Sequence, residues 1–267
     1  MTTDIDLLKQ ATVLLENGNR VALCTIIEKK GSGPREVGAK MIVDENGNTI
    51  GTIGGGNLER ALIKESLKVI GKGKPSRTTI SLHKKAKKGT VKTGLICGGE
   101  LTIFIDVIKP KQRLIIVGAG HIAKPLAKIA DIIGYSLTII DDNERLASKN
   151  RFPMAEKIIT GDLNLSLDKL DITPKDFVVI VHGEPEHDYL ALKKVLEKGP
   201  AYIGLLGSKT KVALLTERLK ATGFNEEDLS VLHAPIGLDI DAQSPEEIGV
   251  SILAEVIREG KRKKPST

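Results

Sequence analysis

An α/β protein with two domains is predicted from three observations. In the second half, apolar runs of strand length alternate with amphipathic runs of helical length. A glycine turn joins two of those runs through a helix. In the first half, several short strands surround a hairpin signal. The expected architecture is a C-terminal doubly wound parallel sheet over residues 111–267, preceded by an α+β domain over residues 1–110.

From the N-terminus, Leu7, Leu8, Ala11, Leu14 and Leu15 recur at helical spacing and are closed by Asn17-Gly18. Val21 to Ile27 is β-branched and apolar and reads as a buried strand, with Cys24 as a small core residue. Lys30 to Arg35 is a loop of turn formers. Ala39–Val43 and Thr49–Ile53 flank Asp44-Glu45-Asn46-Gly47-Asn48, a hairpin signal. Gly54-Gly55-Gly56 then opens a helix over Leu58–Ile70, expected to stop at Gly71. Three glycines between strand and helix fit either an anion-accepting turn or a tight corner without a ligand. Spacing alone does not separate the two. After a lysine-rich loop, Cys97 lies in a glycine-flanked loop where a thiol can be accessible, before a strand over Leu101–Val107. Lys109-Pro110-Lys111-Gln112 is a polar joint and the domain boundary.

The second domain opens on Leu114–Val117, followed by Gly118-Ala119-Gly120-His121-Ile122-Ala123, a helix, a second apolar segment and Asp141-Asp142. Strand, G-x-G-x-x-A turn, helix, strand and acid is the dinucleotide fingerprint, which makes the sheet Rossmann-like. Gly118 permits the tight turn, Gly120 lets backbone approach a pyrophosphate, and Ala123 keeps the helix near the sheet. Asp141 lies where an acid accepts hydrogen bonds from a ribose diol. Phe177–Val181 reads as a central parallel strand, and Tyr202–Leu206 as another.

His182, His187 and Asp188 invite a metal reading. The i, i+5 spacing disfavours it, since it does not align two imidazoles on one helix face, and no HExxH-like pattern is present. Proton transfer or a polar contact is the better-supported role for His182, at a strand end. His233 and Asp239, in the His233–Ile240 loop, are candidates to face a ligand. Ser244, Pro245 and Glu247 form a capping box for a last helix over Ile248–Ile257.

Composition narrows the function classes. Hydrophobic residues at 40% and charged residues at 28% describe a globular chain. No apolar run approaches the roughly 20 residues that cross a bilayer. Asp4, Asp6 and Lys9 break any signal-peptide core, so a cytoplasmic protein without a membrane partner is expected. The net charge of +6 gathers in Lys84, Lys85, Lys87 and Lys88 and in Lys261-Arg262-Lys263-Lys264. With aromatics at 3%, no stacking platform or groove-reading motif accompanies these charges, and no nucleic-acid partner is expected. Two cysteines point to a reducing compartment rather than a disulfide framework.

The assembled motifs resemble the xanthine dehydrogenase accessory-factor family, XdhC/CoxI. They are Gly31-Ser32-Gly33-Pro34-Arg35, Gly38-Ala39-Lys40-Met41, Gly51-Thr52-Ile53-Gly54-Gly55-Gly56 with Leu58-Glu59, and Ile96-Cys97-Gly98-Gly99 in the first half. In the second they are Val117 to His121, Tyr202-Ile203-Gly204 with Gly207-Ser208, His233 to Ile240, and Ser244 to Ile248. The resemblance implies a non-catalytic accessory protein that binds the molybdenum cofactor, as molybdopterin or its dinucleotide. It would assist the cofactor's sulfuration and its insertion into a molybdenum hydroxylase. Implied partners are the apo-hydroxylase, a cysteine desulfurase and a second copy of the chain.

The same resemblance assigns Cys97 to the metal or its sulfur, and a thiol is a soft ligand that can carry a persulfide. Cys97, Arg35 and Gly54 to Gly56 would form the pterin and molybdenum pocket. Gly118, Gly120, His121, Ala123 and Asp141 would hold a nucleotide, either the nucleotide half of the cofactor or NAD(P). Two positions depart from the family pattern: Lys209 replaces an arginine, and Asp241 stands where glycine is usual. The alternative expectation is an NAD(P)-dependent oxidoreductase of unknown substrate. It explains the fingerprint but leaves the first 110 residues without a task.

Overall fold

The computed structural model describes residues 3–82, 91–92 and 98–262. Cys97 and the Lys84–Lys88 cluster lie outside the described residues, as do Lys263 and Lys264. The chain divides into two compact units after Lys111.

The first unit contains α1 (Asp4–Glu16), β1 (Val21–Lys30), β2 (Lys40–Asp44), β3 (Thr49–Gly51), α2 (Gly56–Lys72), β4 (Ser76–Ser81), β5 (Val91–Lys92) and β6 (Glu100–Ile108). Its strands form a six-stranded sheet in the order β3-β2-β1-β6-β4-β5. All neighbours are antiparallel except β4 and β5. Alternation along β1 decides which helix covers which face. Ala22, Cys24 and Ile26 join the core under α2, while Val21 and Leu23 pack with Leu7 and Ala11 of α1. Cys24 is fully buried, with Sγ 3.2 Å from Ser66 Oγ. Burial pushes its thiol up to about 11. The expected end of α2 at Gly71 is corrected: the helix runs to Lys72 and stops at Gly73, whose φ of 63° supplies the left-handed C-cap.

The second unit contains β7 (Arg113–Val117), α3 (Ala123–Ile132), β8 (Ser136–Asp141), β9 (Lys157–Thr160), α4 (Leu163–Lys169), β10 (Phe177–Ile180), α5 (Pro185–Lys198), β11 (Tyr202–Leu205), α6 (Lys209–Ala221), β12 (Leu232–His233) and α7 (Pro245–Arg262). Its six strands are all parallel, in the order β12-β11-β10-β7-β8-β9. The winding reverses between β7 and β10, the position where open parallel sheets place ligands.

Both faces of this sheet are covered, which is why its strands are apolar throughout. Leu114, Ile116, Leu137, Ile139 and Val179 pack under α3 and α7. Ile115, Val117, Ile140, Val178 and Ile180 face α4, α5 and α6. Helix α7 starts on the predicted capping box: Glu247 N–H donates to Ser244 Oγ at 3.2 Å, and Ser244 N–H returns to Glu247 Oε2 at 2.9 Å. Among the described residues no helix is long and apolar enough to cross a membrane.

Candidate functional site

The loops after β7, β8 and β10 meet at the reversal point and enclose a crevice of about 590 Å³. Gly118 has φ 101° and donates its N–H to Ile140 O at 2.7 Å. Gly120 lines the crevice and has open space where a side chain would stand. Helix α3 begins without a side-chain cap, which leaves its first N–H groups directed at the turn. Ala123 is fully buried between helix and sheet, as its small size requires, and His121 is exposed at the tip of the turn.

Asp141 occupies a different place from the one its role in the fingerprint implies. It is 3% exposed, and its two oxygens accept Ala119 N–H at 2.6 Å and Asn143 N–H at 2.8 Å. The carboxylate braces the glycine turn from beneath. The exposed acid at this strand end is its neighbour, Asp142.

Asp142 joins the two histidines that the sequence singled out. His182 Nε2 lies 3.2 Å from Asp142 Oδ1, and His187 Nε2 lies 3.4 Å from Oδ2. The two imidazoles stack at 4.5 Å. Burial alone would raise the Asp142 carboxyl, but hydrogen bonding and charge from His182, with charge from His187, outweigh it and hold the group below its ordinary range. Asp188, the acid that the sequence places beside these histidines, points elsewhere. It is fully buried and paired with Lys211, which also donates to Gly183 O at 3.3 Å.

His233, on the edge strand β12, stacks on Tyr202 at 4.6 Å. Its Nδ1 is 3.8 Å from Glu255 Oε1. Glu255, buried on α7, accepts Tyr202 OH at 2.9 Å and Gly237 N–H at 2.9 Å, and so ties the His233–Ile240 loop to the sheet. Burial and the Glu255 carboxylate push the Tyr202 phenol far above its ordinary value. Asp239 is exposed. Asp241 has φ 55°, in the left-handed region that favours glycine.

In the first unit, three of the predicted loops converge. A Cβ on Gly54 would lie 2.2 Å from Pro34 Cγ, and one on Gly99 would lie 2.0 Å from Ser32 O. The loop carrying Arg35 is thereby packed against both the Gly54–Gly56 turn and the glycines that follow Cys97. Arg35 is half-buried and has no ion-pair partner among the described residues. The glycine turn has an internal anion: Glu59 Oε1 accepts Gly55 N–H at 3.0 Å and Ile53 N–H at 3.2 Å, together with the Thr52 hydroxyl. Of the two readings that spacing left open, the tight corner accounts for these N–H groups. Periodicity gives no sign of this contact, although Glu59 one turn into the helix is the signal that could have found it.

Comparison with known proteins finds one family match within each unit. The XdhC and CoxI family matches residues 14–81, and the XdhC Rossmann domain matches residues 114–256. The uncharacterized protein YqeB of Escherichia coli (strain K12) is 33% identical over 255 residues, covering 95% of this chain and 46% of YqeB. The chain thus spans about half the length of that relative. The molybdenum cofactor insertion chaperone PaoD of the same strain is 24% identical over 94% of this chain and 86% of PaoD. The crystal structure of a xanthine dehydrogenase from Bacillus halodurans superposes with a TM-score of 0.54 at 26% identity, covering 98% of this chain and 97% of that chain. By matches that take in most of both units, the chain belongs to the XdhC and CoxI family.

Proposed function

We propose that the protein is an accessory factor in the maturation of a molybdenum hydroxylase such as xanthine dehydrogenase. In this reading it binds the molybdenum cofactor as cargo and assists its sulfuration and insertion. The observation that carries the proposal is the family match in both units, joined to a relative that is named for molybdenum cofactor insertion and is covered over 86% of its length. The donor chemistry of the first unit fits such cargo. Arg35 offers a half-buried guanidinium to a phosphate, beside the Gly54–Gly56 turn and the glycines after Cys97. Cys97 offers a soft thiol to molybdenum or its sulfur.

The nucleotide half of a pterin dinucleotide, or NAD(P), is assigned to Gly118, Gly120, His121, Ala123 and Asp141, with Asp141 acting through the turn that it braces. His233 and Asp239, on β12 and the loop that follows it, are also proposed to face the ligand. The apo-hydroxylase, a cysteine desulfurase and a second copy of the chain are the proposed partners, in the cytoplasm. The test is metal analysis and pterin fluorescence on full-length protein purified from a host that makes the cofactor. Copurifying molybdenum and pterin, and loss of hydroxylase activation in Cys97→Ser, are expected. No saturable binding of the intact cofactor, with activation untouched in Cys97→Ser, overturns the proposal.

The strand order around β7 and β10 favours one second reading, an NAD(P)-dependent oxidoreductase. Its signature would be nicotinamide turnover with a small carbonyl or hydroxy compound by the purified protein.

A further inference from the structure

We propose that Asp142, His182 and His187 form a binding site for one divalent first-row transition-metal ion at the rim of the parallel sheet. The donors come from three places in the backbone: the loop after β8, the loop after β10 and the first turn of α5. One ligand atom from each lies within 4.8 Å of the other two. The spacing is informative. An ion bonded to nitrogen and oxygen at about 2.0–2.2 Å in tetrahedral geometry holds its ligands about 3.3 Å apart. His182 Nε2 is 3.2 Å from Asp142 Oδ1, and His187 Nε2 is 3.4 Å from the other oxygen, Oδ2. Both separations are short enough for the three side chains to close on one ion.

The surroundings orient both rings. His187 Nδ1 lies 2.9 Å from Glu184 Oε2, so a carboxylate holds one nitrogen while the other faces Asp142. That outer partner is the usual companion of a metal-bound histidine. The His182 side chain is 8% exposed, and its Nδ1 is buried without a hydrogen-bond partner among the described residues. Nε2, directed at Asp142, is the ring's one engaged nitrogen. Two imidazoles and a carboxylate suit zinc, iron(II), cobalt or nickel, whereas magnesium and calcium favour all-oxygen sites.

Three protein ligands leave coordination open toward the crevice. Its lining carries Asp141, Asp142, Glu144 and Glu184 against Arg145. A phosphate-bearing ligand approaching Gly120 would meet like charge there, and a bound cation reverses that locally. The ion would then be the contact for an anionic ligand on the glycine turn. The site stands whether or not the protein handles the molybdenum cofactor.

The test titrates metal-stripped, full-length protein with cobalt(II), followed by visible absorption, and with zinc(II), followed by calorimetry. One equivalent of cobalt(II) is expected, displaced by zinc(II). Asp142→Asn and His187→Gln should weaken binding by well over tenfold, and Glu184→Gln by about tenfold. Metal-free melting temperatures establish that each variant is folded, and His187 and Asp142 are exposed enough to replace. Unsaturable binding, or one-equivalent binding unchanged in both Asp142→Asn and His187→Gln, overturns the proposal.

Discussion

Gly118 lies directly against the backbone of His182: a Cβ on Gly118 would stand 2.5 Å from both Cα and N of His182. Glycine here is a condition for β7 and β10 to pair as far as their C-terminal ends, with Val181 N–H donating to Val117 O at 2.8 Å. The same close approach lets Asp142 and His182 meet across the end of an intervening strand.

Gly118→Ala therefore combines a backbone clash with a φ of 101° that alanine resists. A loss of about 2–4 kcal/mol is expected in urea unfolding. Gly120→Ala, with open space beyond its Cα, should unfold within roughly 1 kcal/mol of the parent. Equal losses for the two would contradict the packing described.

Removing the internal anion of the first glycine turn should create an external anion site. Glu59→Ala frees the Ile53 and Gly55 N–H groups and is expected to cost about 1–3 kcal/mol. Sulfate or phosphate should then raise the melting temperature of the variant more than that of the parent. An identical response of both proteins would show that Glu59 does not fill the turn.

Cys24 gives stability a pH dependence with a definite sign. Its thiol is raised from 9.0 to about 11 in the folded protein, so the native state holds this proton more tightly than the unfolded chain. The contribution is fully present below about pH 9 and declines as pH rises toward 11, by roughly 2–3 kcal/mol in all. Cys24→Ala should lower stability at neutral pH through lost packing and flatten the alkaline slope. Chemical denaturation between pH 7 and 10.5 follows both effects. A slope unchanged in the variant would assign it to other groups.

Much of the fold was legible because its signals are local. The apolar runs at Leu114–Val117 and Leu137–Ile140, the glycine turn, the hairpin at Asp44–Asn48 and the capping box at Ser244 each lie within a few residues of chain. Strand β4 was not legible, since Ser76-Arg77-Thr78-Thr79 is polar and gains its order from pairing with β6. The two-residue strand β12 and the seven-residue helix α4 are too short for periodicity to register. The site was legible only in part for the same reason. His182 and His187 were visible as a pair, but their acid is Asp142, 40 positions before His182. Asp188, nearer in sequence, is engaged by Lys211 from another helix. Asp141 has the predicted position in the chain, and only three dimensions show its carboxylate turned under the loop.

That orientation of Asp141 has a kinetic meaning. One buried carboxylate fastens Ala119 and Asn143, so the loops after β7 and β8 are held as a single preformed wall. A ligand arriving at Gly120 meets a surface whose ordering cost was met when the chain folded, and association loses little conformational entropy there. Binding at this wall should resemble docking onto a rigid scaffold, with affinity differences among ligands expressed in how slowly they leave.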